Sequence, residues 1–386
     1  MPKKTANTPE LSDAEKAARR AKNAANRAKR EAKAARDKAA QRGSGEAATV
    51  AARQDGSRSD RFNIMIVAQA GRLEYEALIF TETLRRAAPG WKGRLIVAEP
   101  KPEAAWAGHE TRISAPVRDL LEARGAKIRP FIARHFGADY PHGNKIEALS
   151  TLPTGENFVF FDSDTLFTGP IERVGFDFNR PSASMRREGT WPEPPLYGPG
   201  YGQIWQSLYE RFGLDFTSSL DLDQPDEHWE RYLYFNAGWF FGSDPVEFRR
   251  RFLDWSRQIK REPGEALACQ ELRPWLDQIA LPLVIHSFGG GRPGPELAGL
   301  DGDVSCHYRN LPLLYARESD GVVAALAEAA HQPDIRAVLE HWEPALRLIY
   351  QRIGAELIRP AFDRERLPGF EQPIRQEIKR AGWWVV

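Results

Sequence analysis

The chain has 386 residues, 42% of them hydrophobic, a formal net charge of +1 and two cysteines, Cys269 and Cys306. That length suffices for one large domain, or two, with a real core. Two cysteines exclude a disulfide scaffold and fit a reducing compartment. No apolar run approaches membrane-spanning length and the N-terminus lacks the apolar core of a secretory signal, so a cytoplasmic protein is expected.

The charge is unevenly placed. Residues 1–60 carry 15 Lys/Arg and 8 Asp/Glu, which is +7, so the remainder carries 1 − 7 = −6. A mildly acidic main body argues against a general nucleic-acid binder. From Asp13 to Gln41 the chain is mostly Ala, Lys and Arg, without a large apolar side chain between Leu11 and Val50. Such a segment has no face to pack on a core and reads as a disordered or helical basic arm, followed by a linker. Clustered Lys/Arg are drawn to anionic lipid headgroups, so peripheral contact of residues 1–60 with the inner membrane surface is the sharper expectation.

From Arg61 onward strands and helices alternate. Phe62 to Ala68 reads as a buried strand, and Leu73 to Ala87 as a helix stopped by Pro89-Gly90. Gly93 to Ala98 is a second strand, Val117 to Ala123 a helix, Lys127 to Ile132 a third strand and Asn144 to Leu152 a helix. Phe158 to Phe161 follows, a strand that ends abruptly in Asp162-Ser163-Asp164. Strands apolar on both faces between helices imply an α/β fold with a mostly parallel sheet flanked by helices. Ser182 to Met185 is a candidate strand, and Trp191 to Gly202 reads as a long Pro/Gly-rich loop. Tyr232 to Phe241 is strongly β-forming but interrupted by Asn236-Ala237-Gly238, where small residues suggest close approach of a ligand or backbone. Asp244-Pro245 opens a helix to about Lys260, and Glu265 to Trp275 reads as another. Val304 to Tyr308 is a short strand or turn, and the pattern from Gly321 to the end is helical.

Carboxylates at the carboxyl end of a buried strand are costly to leave unpaired, and in an open α/β sheet that end is where ligands sit. Two oxygen donors one residue apart, Asp162 and Asp164, suit Mg²⁺ or Mn²⁺ bound with substrate phosphates. A solvated turn after a strand is the plainer alternative.

Several segments together resemble a metal-dependent glycosyltransferase of the GT-A (Rossmann-like) fold, most similar to the glycogenin and galactinol-synthase type of family 8. Val67-Ala68-Gln69-Ala70 followed by Tyr75 resembles the first strand and nucleoside-binding turn. Phe160-Phe161-Asp162-Ser163-Asp164-Thr165 resembles the DxD motif, with Lys145 on the preceding helix. Tyr234-Phe235-Asn236-Ala237-Gly238 resembles the acceptor-side strand, Asp277-Gln278 the "DQ" pair, and His307 the late histidine. The longer His-Gly-Lys-Pro-Trp signature of that histidine is absent; Tyr308-Arg309-Asn310 follows instead.

The resemblance covers residues 61–315 as glycosyltransferase domain, with residues 1–60 as arm and linker before it and 316–386 as a helical C-terminal extension. It implies a nucleotide-sugar donor, with a UDP-sugar first in line, and a saccharide, glycan or other hydroxyl acceptor. Ala68, Gln69, Ala70, Tyr75, Lys145, Asp162, Ser163 and Asp164 would then bind the donor. Asp164 is the first choice as metal ligand, Asp162 reaches the metal or ribose, and His307 supplies a nitrogen that favours Mn²⁺ over Mg²⁺. Asn236 and Asp277 are the catalytic candidates, Asp277 as a base if the enzyme inverts. A solvated lysine at 145, a helix-face aromatic at 75 and a structural histidine at 307 are the plainer alternatives. Two competing functions remain: a haloacid-dehalogenase-like phosphatase, which also places DxD after an apolar strand, and a non-catalytic glycosyltransferase-like binding protein.

Overall fold

Side chains of a strand alternate between the two faces of its sheet, so a strand apolar at every position needs cover on both sides. The computed structural model describes residues 61–386 and meets that need. Its strands are β1 (Asn63–Val67), β2 (Leu95–Pro100), β3 (Lys127–Phe131), β4 (Phe158–Phe161), β5 (Thr165–Phe167), β6 (Trp239–Gly242) and β7 (Ser305–His307). The main sheet has the order β3-β2-β1-β4-β6. Its pairings are parallel except β4 with β6, which run antiparallel with Phe161 opposite Trp239. A second, two-stranded antiparallel sheet pairs β5 with β7.

Met65, Phe158, Phe160 and Phe240 face one core layer, where they meet α5 (Pro245–Arg261) and α6 (Leu276–Ser287). Ile64, Ile66, Val159, Phe161 and Phe241 face the other, covered by α1 (Arg72–Ala87) and α2 (Ala115–Ala123). Each such aromatic or branched side chain contributes about 1.5–3 kcal/mol when fully buried. Between β3 and β4 lies the short helix α3 (Asn144–Glu147), and α4 (Tyr201–Arg211) follows β5. A third cluster packs β5 and β7 against α7 (Leu311–Arg317), α8 (Asp320–Ala330), α9 (Pro333–Leu339) and α10 (Glu371–Arg380). Short helical turns fill 343–361.

The architecture is the flanked, mostly parallel sheet with a helical C-terminal extension expected from the sequence. The boundary expected at 315/316 falls inside α7, whose Leu313, Leu314 and Tyr315 belong to the third core. The candidate strand Ser182–Met185 forms only an isolated bridge, Ala183 with Phe240, and two other elements differ. Between Glu265 and Trp275 only the turn Glu265–Leu267 forms, and the helix is α6, starting at Leu276. Leu276 to Ile285 is buried almost throughout, and a helix apolar on all sides gives no periodic signal. In Tyr232–Phe241 only the end pairs as β6, because Ala237 has φ +63° and breaks the pleat. The basic arm and its membrane contact concern residues 1–60, outside the described residues. No helix among the described residues is long and apolar enough to cross a membrane.

Candidate active site

Strand order reverses at β1, which has β2 on one side and β4 on the other. Crevices at such switch points, beyond the carboxyl ends of the strands, are ligand sites. Here Gln69 and Ala70 follow β1, Asp162 to Asp164 follow β4, and both line one cavity of ≈ 390 Å³ with Arg72, His142, Asn144 and Lys145. A second cavity of ≈ 450 Å³ shares Arg72, His142, Lys145, Asp162 and Asp164, and adds Asn236, Asp277, Gln278 and His307. The cleft therefore has two chambers that meet at the aspartates.

Two antiparallel pairings assemble the acidic centre. The Asp162 amide donates to the Gly238 carbonyl at 2.9 Å, extending β4–β6 pairing past the strand end. Beyond Asp164 the chain enters β5, where Thr165 is opposite His307 of β7, and the Tyr308 amide donates to the Asp164 carbonyl at 2.9 Å. His307 Nε2 thereby comes within 3.1 Å of Asp164 Oδ1 and 3.9 Å of Asp162 Oδ2. One ligand atom from each of the three residues lies within 4.8 Å of the others, and together they can hold a metal ion. Two hard carboxylate oxygens with one imidazole nitrogen fit a divalent first-row cation, so the residues present suit the group that the sequence implies.

Cations flank these acids. Lys145 Nζ is 2.9 Å from Asp162 and 3.3 Å from Asp277, and donates to the Ala237 carbonyl at 3.2 Å. Burial pulls the Lys145 ammonium down, but the two carboxylates outweigh it and hold its pKa above the ordinary value. Arg72 is 2.8 Å from Asp164 Oδ2, 2.6 Å from Glu76, and donates to the Arg309 carbonyl at 2.7 Å. Burial would raise the Asp164 carboxyl, yet His307, Arg72 and Lys145 keep it below the usual range. Glu76 goes the other way: burial, then the Asp164 charge, raise it, and Arg72 only partly compensates. Asp277 accepts from the Tyr140 hydroxyl at 2.6 Å, and its own amide donates to the Tyr140 oxygen at 3.0 Å.

Other expected site residues divide. Gln69 lines the first chamber and accepts from Asn144 at 3.2 Å, and Ala70 lines it too. Ser163 lines it and donates to Glu76 at 3.2 Å. Asn236 lines the second, where its amide contacts the Arg186 carbonyl. Ala68 is fully buried in the sheet, its amide bonded to the Ala98 carbonyl, and lines neither chamber. Tyr75 also lies away from both: its ring stacks on Trp342 at 5.4 Å with 7° between planes. On α1 it packs against the C-terminal core. Sequence reading missed Arg72, Glu76 and Tyr140. A signal existed for Arg72: a cation in the first turn of a helix opposes the helix dipole and needs a nearby anion.

No protein of curated function matches the sequence. Among solved structures, LgtC as an active-site mutant is 17% identical with a TM-score of 0.36, over 60% of this chain and 72% of that one. WbbM, a bifunctional glycosyltransferase, is 14% identical at a TM-score of 0.41, over 75% and 53%. The glycosyltransferase GlyE of Streptococcus pneumoniae is 11% identical at 0.34, over 84% and 64%. A family model described as "Rhodobacterales glycosyltransferase domain" matches residues 64–289, more than half of the chain. That match overturns the phosphatase reading. The chain therefore belongs to the Rhodobacterales glycosyltransferase domain family and is a glycosyltransferase.

Proposed function

We propose that this glycosyltransferase moves a sugar from a nucleoside diphosphate sugar, a UDP-sugar first among candidates, to a saccharide or other hydroxyl acceptor, and depends on Mn²⁺ or Mg²⁺. The single observation that carries the reading is the convergence of Asp162, Asp164 and His307 where the two chambers join. The first chamber, between the turn after β1 and Asn144, takes the nucleoside. The second, with Asn236 and Gln278, takes the transferred sugar and the acceptor.

Asp164 and His307 are assigned as metal ligands, with Asp162 as the third or as the contact to ribose. The imidazole favours Mn²⁺. A divalent cation held there stabilises the charge that develops on the diphosphate as the glycosidic bond breaks. Arg72 orients Asp164 by engaging Oδ2, which leaves Oδ1 toward His307. Lys145 places a positive charge beside the diphosphate position and holds Asp162. Asn236 is positioned to hydrogen-bond a sugar hydroxyl. Asp277 is reassigned from base to positioning group. It is 2% exposed and already accepts from Tyr140 and pairs with Lys145, so little of it remains to take an acceptor proton.

The test is a donor panel assayed for nucleotide release with Mn²⁺. At least one UDP-sugar is expected to be hydrolysed, EDTA to abolish the release, and Asp164→Ala to lower it at least a hundredfold in a protein with an unchanged circular dichroism spectrum. Full turnover in EDTA, or in Asp164→Ala, sinks the metal assignment. Hydrolysis only of donors lacking uridine sinks the UDP assignment.

A further inference from the structure

The second chamber is walled in part by the end of the chain. Arg375 and Lys379 on α10, with Trp384 beyond it, line the same cavity as the triad. Across it stand Arg187 and Arg309. The carboxylates that could neutralise these cations are few and shared. Buried Glu371 serves Arg309 at 3.6 Å, Arg317 at 2.9 Å, and Arg375. Arg317 also bridges to Glu188 at 2.6 Å. Lys379 makes no ion pair among the described residues; its ammonium lies 5.2 Å from the Trp384 ring. Arg187 makes none either. It donates to the Tyr234 carbonyl at 3.2 Å and stacks over Trp229 at 4.4 Å. Burial pulls the Arg187 pKa down to about 10, as for a desolvated cation short of counter-charge. Of the four cations that line this chamber alone, Arg309 and Arg375 share Glu371, whereas Arg187 and Lys379 are left without an ion pair among the described residues.

The donor diphosphate does not account for these two cations. Arg72 and Lys145 already stand beside the triad in both chambers, whereas Arg187, Arg309, Arg375 and Lys379 line the second alone. We propose that the second chamber selects an acceptor saccharide carrying an anionic group, a carboxylate or a phosphate ester, and that Arg187 and Lys379 are the residues that select it. The inference rests on the acceptor role given to that chamber above. Guanidinium and ammonium groups suit both anions, and a hydrogen bond to a charged partner contributes about 1.5–3 kcal/mol, a factor of roughly ten to a hundred in affinity. Trp384, half-buried with Arg375 5.1 Å and Lys379 5.2 Å from its ring, adds an aromatic surface of the kind sugar rings pack against.

The experiment is calorimetric titration of the full chain, with UDP and Mn²⁺ present, using paired probes. One pair is 4-nitrophenyl β-glucuronide against the β-glucoside; the other is glucose 6-phosphate against glucose. At least one acidic probe is expected to bind tenfold or more tightly than its neutral partner. Its preference should shrink at least tenfold in Lys379→Ala, a surface change, and in Arg187→Gln, and should fall with added salt. Equal binding within both pairs overturns the proposal, and so do variants that keep the preference or lose UDP affinity instead. Which acid is preferred separates a carboxylate from a phosphate acceptor. Absence of metal-dependent donor hydrolysis would overturn the donor reading, while intact hydrolysis without acid preference overturns this inference alone.

Discussion

A β-carbon at Gly238 would lie 2.3 Å from His307 Nδ1. The glycine that follows Asn236-Ala237 thus makes room for the imidazole that faces Asp164. Gly238 does not have the positive φ that alanine resists, so the contact, not the backbone, forbids a side chain there. We expect Gly238→Ala to push His307 away from the aspartates and to weaken Mn²⁺ binding at least tenfold, with global stability lowered by no more than about 2 kcal/mol. Titration of Mn²⁺ by electron paramagnetic resonance checks it; wild-type affinity would show that His307 is no ligand.

Arg72 offers a second route to the same centre. It fixes one oxygen of Asp164 and the carbonyl of Arg309 together. Loss of a partner that orients a ligand commonly costs 10- to 100-fold in metal affinity. Arg72→Ala should fall in that range while Asp164 itself is retained. A tighter Mn²⁺ site in the variant would mean that Arg72 competes with the cation instead of orienting its ligand.

Lys145 neutralises two acids at once, and Asp277 beside it is almost fully buried. Removing the cation from a buried pair is strongly destabilising, by about 3–5 kcal/mol, because the partner charge is stranded. Lys145→Met is therefore expected to cost about 3 kcal/mol in urea unfolding. Asp277→Asn in the same background should recover part of the loss, since the stranded charge is then gone. A Lys145→Met protein as stable as wild type would mean that solvent or a rearranged neighbour already satisfies Asp277.

Stability should also depend on pH through Glu82. Its side chain is 1% exposed and bridges Arg85 at 2.7 Å and Arg124 at 3.0 Å, linking α1 to the end of α2. Burial raises the carboxyl, but the hydrogen bonds from Arg85 and Arg124 outweigh it and hold the pKa below the ordinary value. A carboxyl lower in the folded than in the unfolded chain stabilises above its unfolded pKa, about 4.3, and loses that contribution as pH falls through the folded value. Glu82→Gln should thus be less stable than wild type by about 1–3 kcal/mol at pH 7, with the gap closing below about pH 4. Denaturant melts across pH test this; a gap constant down to pH 3 would exclude the ion pairs as its source.

By itself the sequence determined the sheet and the place of the acids. The short runs Ile64–Val67 and Phe158–Phe161, β-branched or aromatic and apolar on both faces, read as central strands, and Asp162 and Asp164 then fall at the carboxyl rim. Their local signals agree with the global structure. Only the tertiary structure decided which distant groups complete the site. His307 reaches Asp164 because β7 pairs with β5, across 142 positions of sequence that carry no local trace of that pairing. Tyr75 shows the converse: its motif position suggested the nucleotide, but the packed C-terminal extension sets Trp342 against its ring. The cationic wall of α10 was hidden for the same reason. Arg375 and Lys379 look like an ordinary solvated helix face until α10 packs on α7 and turns that face toward the cleft. Periodicity reports which side of an element is buried, whereas long-range pairing and helix docking, set by the summed packing of three cores, decide what each exposed side meets.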